Sequence, residues 1–436
     1  MSEFWIVSAV VFGVLLIAIF SSMWLAVSMG LVGYMAMFIF GNADVAGNLA
    51  ALALRNSLFS FSITALPLFI LMGELVSTAG IGRLLFDGLT PICERLLKGG
   101  LVYATIVACA AFGAVCGSSI AGSASIGKIA MPELRKRGYS DSLAGGALAA
   151  GGPLSTIIPP SLAFIMFGTI ASVSISKLFI AGIVPGVVLT SLMVVVTSLV
   201  VLRWPHLVPP RPVQKRSLGE YCLPLLKVLP IMGLAFFVLY SIYGGIATPT
   251  EASSVGVLGT VIIGLFVRKG KVGFIWNSLK SAAQLSTMLL FLVIGATVFS
   301  LSLNNIGFTR MITGVLSDLV ASPVATVVVI AILYIILGLF IDGMSLLIIT
   351  TPVVYPVLYA LGFDPLVIGI VICLLTSVGN LTPPVGLNLF VVHSLYKLDV
   401  FTISRGALPF LFCYLIALVL LYFFPILVTW LPSFMH

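Results

Sequence analysis

Apolar residues run along this chain in long blocks separated by short polar clusters, at about 4–26, 28–50, 60–80, 101–116, 119–132, 142–172, 178–202, 228–247, 252–267, 284–303, 324–341, 344–360, 365–394 and 407–431. A helix needs about 20 apolar residues to cross roughly 30 Å of hydrocarbon, so the pattern predicts an all-α chain of many membrane helices. Several blocks are too short to cross alone, notably 101–116 and 119–132. Short blocks of this kind are joined in pairs by tight polar turns, "CGSSIAGS" (116–123) and "FIDGMS" (340–345), which predicts two re-entrant hairpins. Two longer blocks are interrupted by "STIIPPS" (155–161) and "SVGNLTPPVGLN" (377–388). Proline, glycine and asparagine at such depth predict broken helices, tolerable only where they are buried in protein or line a cavity.

The interruptions recur. At an offset of 224 without a gap, Pro132 falls on Pro356, Gly138 on Gly362, Gly145 on Gly369 and Pro159-Pro160 on Pro383-Pro384. In the same register Gly182 falls on Gly406, Pro185 on Pro409, and the turn Ser118-Ser119 on Asp342-Gly343. Upstream, "NSLFS" (56–60) matches "NSLKS" (277–281) at an offset of 221. A shared register at helix-breaking positions points to a structural repeat. The loop after the first hairpin, "ELRKRGYSD", is strongly basic, whereas its equivalent "VLYALGFDP" has no Lys or Arg. By the positive-inside rule they lie on opposite faces of the membrane, so the repeat is inverted. This reading divides the chain into N-terminal scaffold spans (1–55), a first repeat (56–202) with hairpin 101–134 and broken helix 142–172, and a cytoplasmic linker (203–227). Further scaffold spans (228–276) precede a second repeat (277–436) with hairpin 324–360 and broken helix 365–394. Of the 21 Lys and Arg, only Arg55, Lys128, Lys177 and Arg310 then fall outside the cytoplasmic side, and both termini are periplasmic.

Composition agrees with that picture. The 436 residues are 61% hydrophobic and 8% charged, against about a quarter charged in soluble domains. The longest polar stretch, 203–227, is a loop rather than a soluble domain, and "MSEFWIVSAV" lacks the basic start of a cleaved signal, so the first span is expected to be retained. A net charge of +8 is spread between the apolar blocks, which fits a membrane protein and not a nucleic-acid binder. Six cysteines in mostly apolar context and three scattered histidines predict packing residues rather than a metal centre. No H-E-x-x-H or Gly-x-Ser-x-Gly pattern and no suitably spaced carboxylate pair suggests an enzyme.

Inverted repeats with discontinuous helices are the mark of secondary transporters. A half-helix that ends at mid-depth leaves carbonyls unpaired, and proline, having no N–H, helps keep them so. Carbonyls with Ser and Thr hydroxyls suit a small hard cation, while the N-terminus of the next half-helix faces an anion. A first ion site is therefore expected where the turn Cys116, Ser118 and Ser119 meets the break Ser155, Ile158 and Pro160. A second is expected where Gly338, Asp342 and Gly343 meet Gly379, Thr382 and Val385. An anionic substrate would lie between them, near Ser123, Thr156, Ser161, Asn380 and Asn388. Asp342 is read as coupling a cation or proton or as bonding the hairpin backbone. Glu74 and Glu251 are read as structural, Glu251 as a helix cap after Thr-Pro-Thr, and Lys128 as reaching toward the cytoplasmic interface.

The segments "LPLFILMGEL" (66–75), "GSSIAGSASIG" (117–127), "IIPPS" (157–161), "ATPTEASSVGVLG" (247–259) and "LTPPVGLNLFV" (381–391) together resemble the large membrane subunit of TRAP (tripartite ATP-independent periplasmic) transporters. The resemblance covers essentially the whole chain. It implies a sodium-driven importer of small organic acids, commonly C4-dicarboxylates or sialic acid, with an elevator-type moving domain in a bacterial inner membrane. It implies two partners, a small four-helix membrane subunit and a periplasmic substrate-binding protein, and no cofactor beyond coupling sodium ions. Sodium ligands carry over onto Ser119, Ser155, Ile158 and Pro160, and onto Gly338, Gly379, Thr382 and Val385, several through backbone carbonyls. Cys116 stands where the family pattern leads one to expect a serine. The alternative is a self-sufficient sodium/carboxylate symporter that needs no binding protein.

Overall fold

A computed structural model describes the chain except for residues 1, 22, 41–42, 60, 211–222, 309–322, 384–385 and 436. Every regular element among the described residues is helical. Three N-terminal helices, α1 (Ser2–Phe20), α2 (Leu25–Phe40) and α3 (Ala43–Phe59), lead into α4 (Phe61–Ala79) and α5 (Ile81–Leu96). The single block expected over 28–50 is therefore two helices, one ending at Phe40 and the next starting at Ala43. Helix α5 was not visible as an apolar block because Arg83, Asp87, Glu94 and Arg95 interrupt it. Its apolar stripe packs inward, and it turns 67° from α4 at Gly80, whose φ of +77° suits glycine.

The first hairpin is α6 (Gly100–Cys116) and α7 (Ser119–Lys136). The first broken helix consists of α8 (Asp141–Gly151), a 3₁₀ turn (Gly152–Thr156) and α9 (Leu162–Ala171), followed by the 29-residue α10 (Ile175–Arg203). After the linker come α11 (Leu229–Tyr243), α12 (Pro249–Val267) and the 33-residue α13 (Gly273–Asn305). The second hairpin is α14 (Pro323–Gly338) and α15 (Gly343–Ala360), the second broken helix α16 (Pro365–Leu381) and α17 (Leu387–Tyr396), and α18 (Val400–Phe423) closes the repeat. Five of these helices are long and apolar enough to cross a membrane alone, and the shorter apolar ones are mostly members of hairpins or breaks. The chain is a multi-pass membrane protein.

Sequence register and helix bounds coincide. Moving α7 along by 224 residues lands on α15 end for end, and Gly138 and Gly362, matched in sequence, both close their hairpin arms in the left-handed region, with φ +81° and +85°. The contacts also show the inversion. Gly145, near the start of the first broken helix, faces Leu398 and Ile403, just past the end of the second. Its counterpart Gly369, near the start of the second, faces Phe167 and Leu178, at the end of the first and just beyond. Each broken helix thus begins beside the other's end. Small residues permit the closest approaches: a Cβ on Gly146 of α8 would lie 2.1 Å from the Gly406 carbonyl carbon of α18. Farther along the same parallel pair, the Tyr414 hydroxyl donates to the Ala150 carbonyl at 2.8 Å.

Helix starts are capped as the residue types dictate. Asp364 accepts the Leu366 and Val367 N–H groups at 2.7 and 3.4 Å, and Asp399 accepts that of Thr402 at 3.1 Å. Thr248 and Glu251 form a reciprocal capping box at the start of α12, the structural role expected for Glu251. The long α13 packs along α2 and α4, and α12 along α4. This layer supports the hairpins and breaks.

Candidate functional site

Both hairpin tips and both helix breaks open onto one cavity of about 160 Å³. Its wall includes Cys116 to Ile120 from the first tip, Asp342 to Met344 from the second, Thr156, Leu162 and Ala163 from the first break, and Thr376, Asn380 and Leu387 from the second. Ile70, Gly73 and Glu74 of α4 and Leu285, Met288 and Leu289 of α13 complete it. The first residues of four helices, α7, α9, α15 and α17, therefore face a common space. Their partial positive charges suit an anion, although Ser118 and Asp342 already take up N–H groups at the starts of α7 and α15. Among the described residues no Lys, Arg or His lines the cavity, while two carboxylates, Glu74 and Asp342, do.

At the first tip the chain turns through Gly117 at φ +64°, and Ser118 caps α7 by accepting the Ala121 N–H at 3.4 Å. The turn lies against the break: a Cβ on Gly117 would come 2.8 Å from the Pro160 carbonyl, and one on Gly113 2.8 Å from Ser155 Cα. Ser155 is fully buried and donates to the Gly152 carbonyl at 2.8 Å, and the Ile158 N–H bonds the Leu154 carbonyl. Pro153, which cannot donate a helical hydrogen bond, coincides with the change from α8 to a 3₁₀ turn. Cys116, Ser118, Ser119, Ser155 and Pro160 thus gather around one tip–break crossing, with Ile158 just outside it, packed on Gly186.

The second crossing is tighter. Gly338 and Gly379 meet backbone to backbone, a Cβ on Gly338 falling 2.4 Å from Gly379 Cα. Asp342 caps α15 through Oδ1, which accepts the Met344 and Ser345 N–H groups at 3.1 and 3.2 Å. Gly343 adjoins the Asn380 side chain, and Thr382 donates to the Val378 carbonyl at 2.7 Å. Beyond it, Gly386 packs against the Asn380 and Thr382 carbonyls. Val385 lies outside the described residues.

The five residues expected around the substrate divide. Thr156 and Asn380 line the cavity. Thr156 shares a 2.7 Å hydrogen bond with Ser377, which ties the two breaks together, and Asn380 Oδ1 is buried without a partner among the described residues. Ser123 and Ser161 are fully buried and turn to backbone, donating to the Leu148 and Thr156 carbonyls at 3.1 and 2.8 Å. Asn388 braces the first tip instead, its Nδ2 donating to Ser119 Oγ at 2.9 Å. Residues from α4 and α13 were not anticipated. Glu74, expected to be structural, stands in the cavity wall; an ionisable side chain within a predicted span was the available signal.

A second cavity of about 880 Å³, at the end of the basic loop, is lined by Arg83, Asp87, Glu94, Lys128, Glu133, Arg137 and Lys227 among others. Arg137 there pairs with Glu133 and Glu94 and so joins the hairpin base to α5. Lys128 lines this cavity as well. A cavity of about 520 Å³ at the opposite end, near Thr169, Asn304, Thr351 and Tyr355, has no charged residue in its wall among the described residues.

A family model described as the DctM component of the tripartite ATP-independent periplasmic transporters matches residues 12–427. The chain is 31% identical over 410 residues to the C4-dicarboxylate TRAP transporter large permease protein DctM of Pseudomonas aeruginosa, covering 94% of each. It is 30% identical over 391 residues to the sialic acid TRAP transporter large permease protein SiaM of Vibrio cholerae, covering 88% of this chain and 90% of that one. The Neisseria gonorrhoeae MtrF structure superposes with a TM-score of 0.57 at 17% identity, covering 88% of this chain and 85% of its own. The Alcanivorax borkumensis YdaH transporter does so at 0.50 and 18%, covering 87% and 89%. At such identities these two structures speak to the fold alone.

Proposed function

The chain belongs to the DctM component family of tripartite ATP-independent periplasmic transporters, and on that premise we propose that it is the large permease subunit of a sodium-coupled importer of small organic acid anions. Relatives named for C4-dicarboxylates, sialic acid and 2,3-diketo-L-gulonate mark the substrate class. The observation that carries this reading is the shared cavity, onto which four helix N-termini converge without one basic side chain among the described residues. An anion there is held by N–H groups and lacks a fixed counter-charge from Lys or Arg, so cations supplied with it complete the charge balance. The tip–break crossings beside the cavity hold the sodium ions: Cys116, Ser118, Ser119, Ser155 and Pro160 at one, with Ile158 beside it, and Gly338, Asp342, Gly343, Gly379 and Thr382 at the other, where the expected Val385 lies outside the described residues. Thr156 and Asn380 contact the substrate, and Ser123, Ser161 and Asn388 hold the walls they stand in. The basic loop faces the cytoplasm of a bacterial inner membrane, which makes the charged 880 Å³ cavity the inward vestibule. A small four-helix membrane subunit and a periplasmic binding protein complete the system, and the hairpins and breaks move together as an elevator.

The test is uptake into proteoliposomes reconstituted with this chain, its small membrane subunit and its binding protein, using labelled succinate and sialic acid. Uptake is expected only with an inward sodium gradient and added binding protein. Uptake without that protein would favour the stand-alone symporter, and indifference to sodium would overturn the coupling.

A further inference from the structure

Resting on that reading, we infer that Glu74 supplies the fixed negative charge of the first cation site. The two hairpin tips differ in one respect that matters to a cation. The second carries Asp342, and the first carries Ser118 at the matched position, so its own tip offers only neutral oxygens. Helix α4 brings the missing carboxylate from outside the hairpin. Gly73 presses so closely on the tip that a Cβ there would lie 2.7 Å from the Cys116 carbonyl. That carbonyl receives no backbone N–H among the described residues. The next residue, Glu74, projects into the same cavity wall, where its carboxylate makes no hydrogen bond or ion pair among the described residues. An ionised carboxylate at this depth requires a counter-charge, and among the described residues no Lys, Arg or His lines the cavity to provide one. A mobile cation is the partner that remains. Independently, Asn380, 6% exposed, lines the same space, and its buried Oδ1 has no hydrogen-bond partner among the described residues, a second oxygen awaiting a ligand. Helix α13, which enters the second repeat as α4 enters the first, contains no Asp or Glu. Each half therefore contributes one carboxylate to the cavity, by different routes. With both charges unneutralised the empty cavity repels an anion, so cation binding comes first.

The full-length chain in lipid nanodiscs, titrated with sodium at constant ionic strength and followed by thermal unfolding, tests the assignment. Glu74→Gln keeps the shape and removes the charge. The half-saturating sodium concentration is expected to rise at least about tenfold, equivalent to about 1.4 kcal/mol. Glu74→Asp should recover part of the loss. A Glu74→Gln protein that unfolds earlier without sodium yet titrates like the parent would show a structural role and overturn the inference. Should Glu74→Gln not fold, Glu74→Asp decides alone: a shifted midpoint supports the assignment and an unchanged one sinks it. A folded parent chain with no sodium-specific stabilisation would instead refute the coupling proposed above.

Discussion

The two tip–break crossings share a register but solve the same packing problem with different parts. In the first, the helix leading into the break gives way at Gly151-Gly152-Pro153 to a 3₁₀ turn, and the tip is capped weakly by Ser118 at 3.4 Å. Outside help stabilises it, through Asn388 on Ser119 and α4 against Cys116. In the second, α16 continues as an α-helix to Leu381 because no proline intervenes, and Asp342 caps the tip with two hydrogen bonds. Hairpin two is thus built from its own residues, whereas hairpin one is completed by its neighbours. Sequence symmetry at helix-breaking positions preserves the backbone route and leaves the supporting side chains free to diverge.

The largest effects should come from the glycines at the crossings. Gly338→Ala drives a Cβ into the Gly379 backbone, which cannot swing aside, and should cost about 3 kcal/mol. Gly113→Ala, facing Ser155 at a longer distance, should cost about 1–2 kcal/mol. Thermal unfolding of both variants in nanodiscs checks the order, and equal losses would break the distinction between a tight and a looser crossing. Next come the caps. Asp342→Ala should lose about 1–2 kcal/mol and Ser118→Ala about 0.5 kcal/mol in the same assay. Asp342→Asn, which keeps an acceptor for the cap, should retain most of that stability while weakening the response to sodium; a normal response would leave Asp342 with a capping role only. A change comparable with that of Ser118→Ala follows Asn388→Ala, about 0.5 kcal/mol for the lost brace. Hydrogen–deuterium exchange should then rise at residues 117–121 and stay unchanged at 340–345. Equal rises in both tips would mean that the brace serves the whole cavity rather than the first hairpin.

Much of the fold was legible because glycine, proline and apolar runs act locally. The hairpin turns, both breaks and the offset of 224 follow from residues whose backbone preferences hold in any context. Helix α5 carries no long apolar block in the sequence, because Arg83, Asp87, Glu94 and Arg95 interrupt the run. At the site, the residues on tips and breaks were recognisable by type, whereas the division among Thr156, Ser123, Ser161 and Asn388 was not. All four are small and polar beside a break, and only their partners tell a cavity wall from a brace.

By itself, the sequence determined the class of molecule, the repeat and its inversion, and where helices must stop inside the membrane. These rest on solvation of the backbone and on charge placement in loops, which each segment obeys independently. Tertiary structure alone decided that both tips and both breaks share one cavity, that α4 and α13 close it, and that Glu74 faces it. Which side of a helix meets which neighbour depends on close approaches between segments as distant as Gly146 and Gly406. No local preference encodes such contacts, because they exist only once the helices have packed.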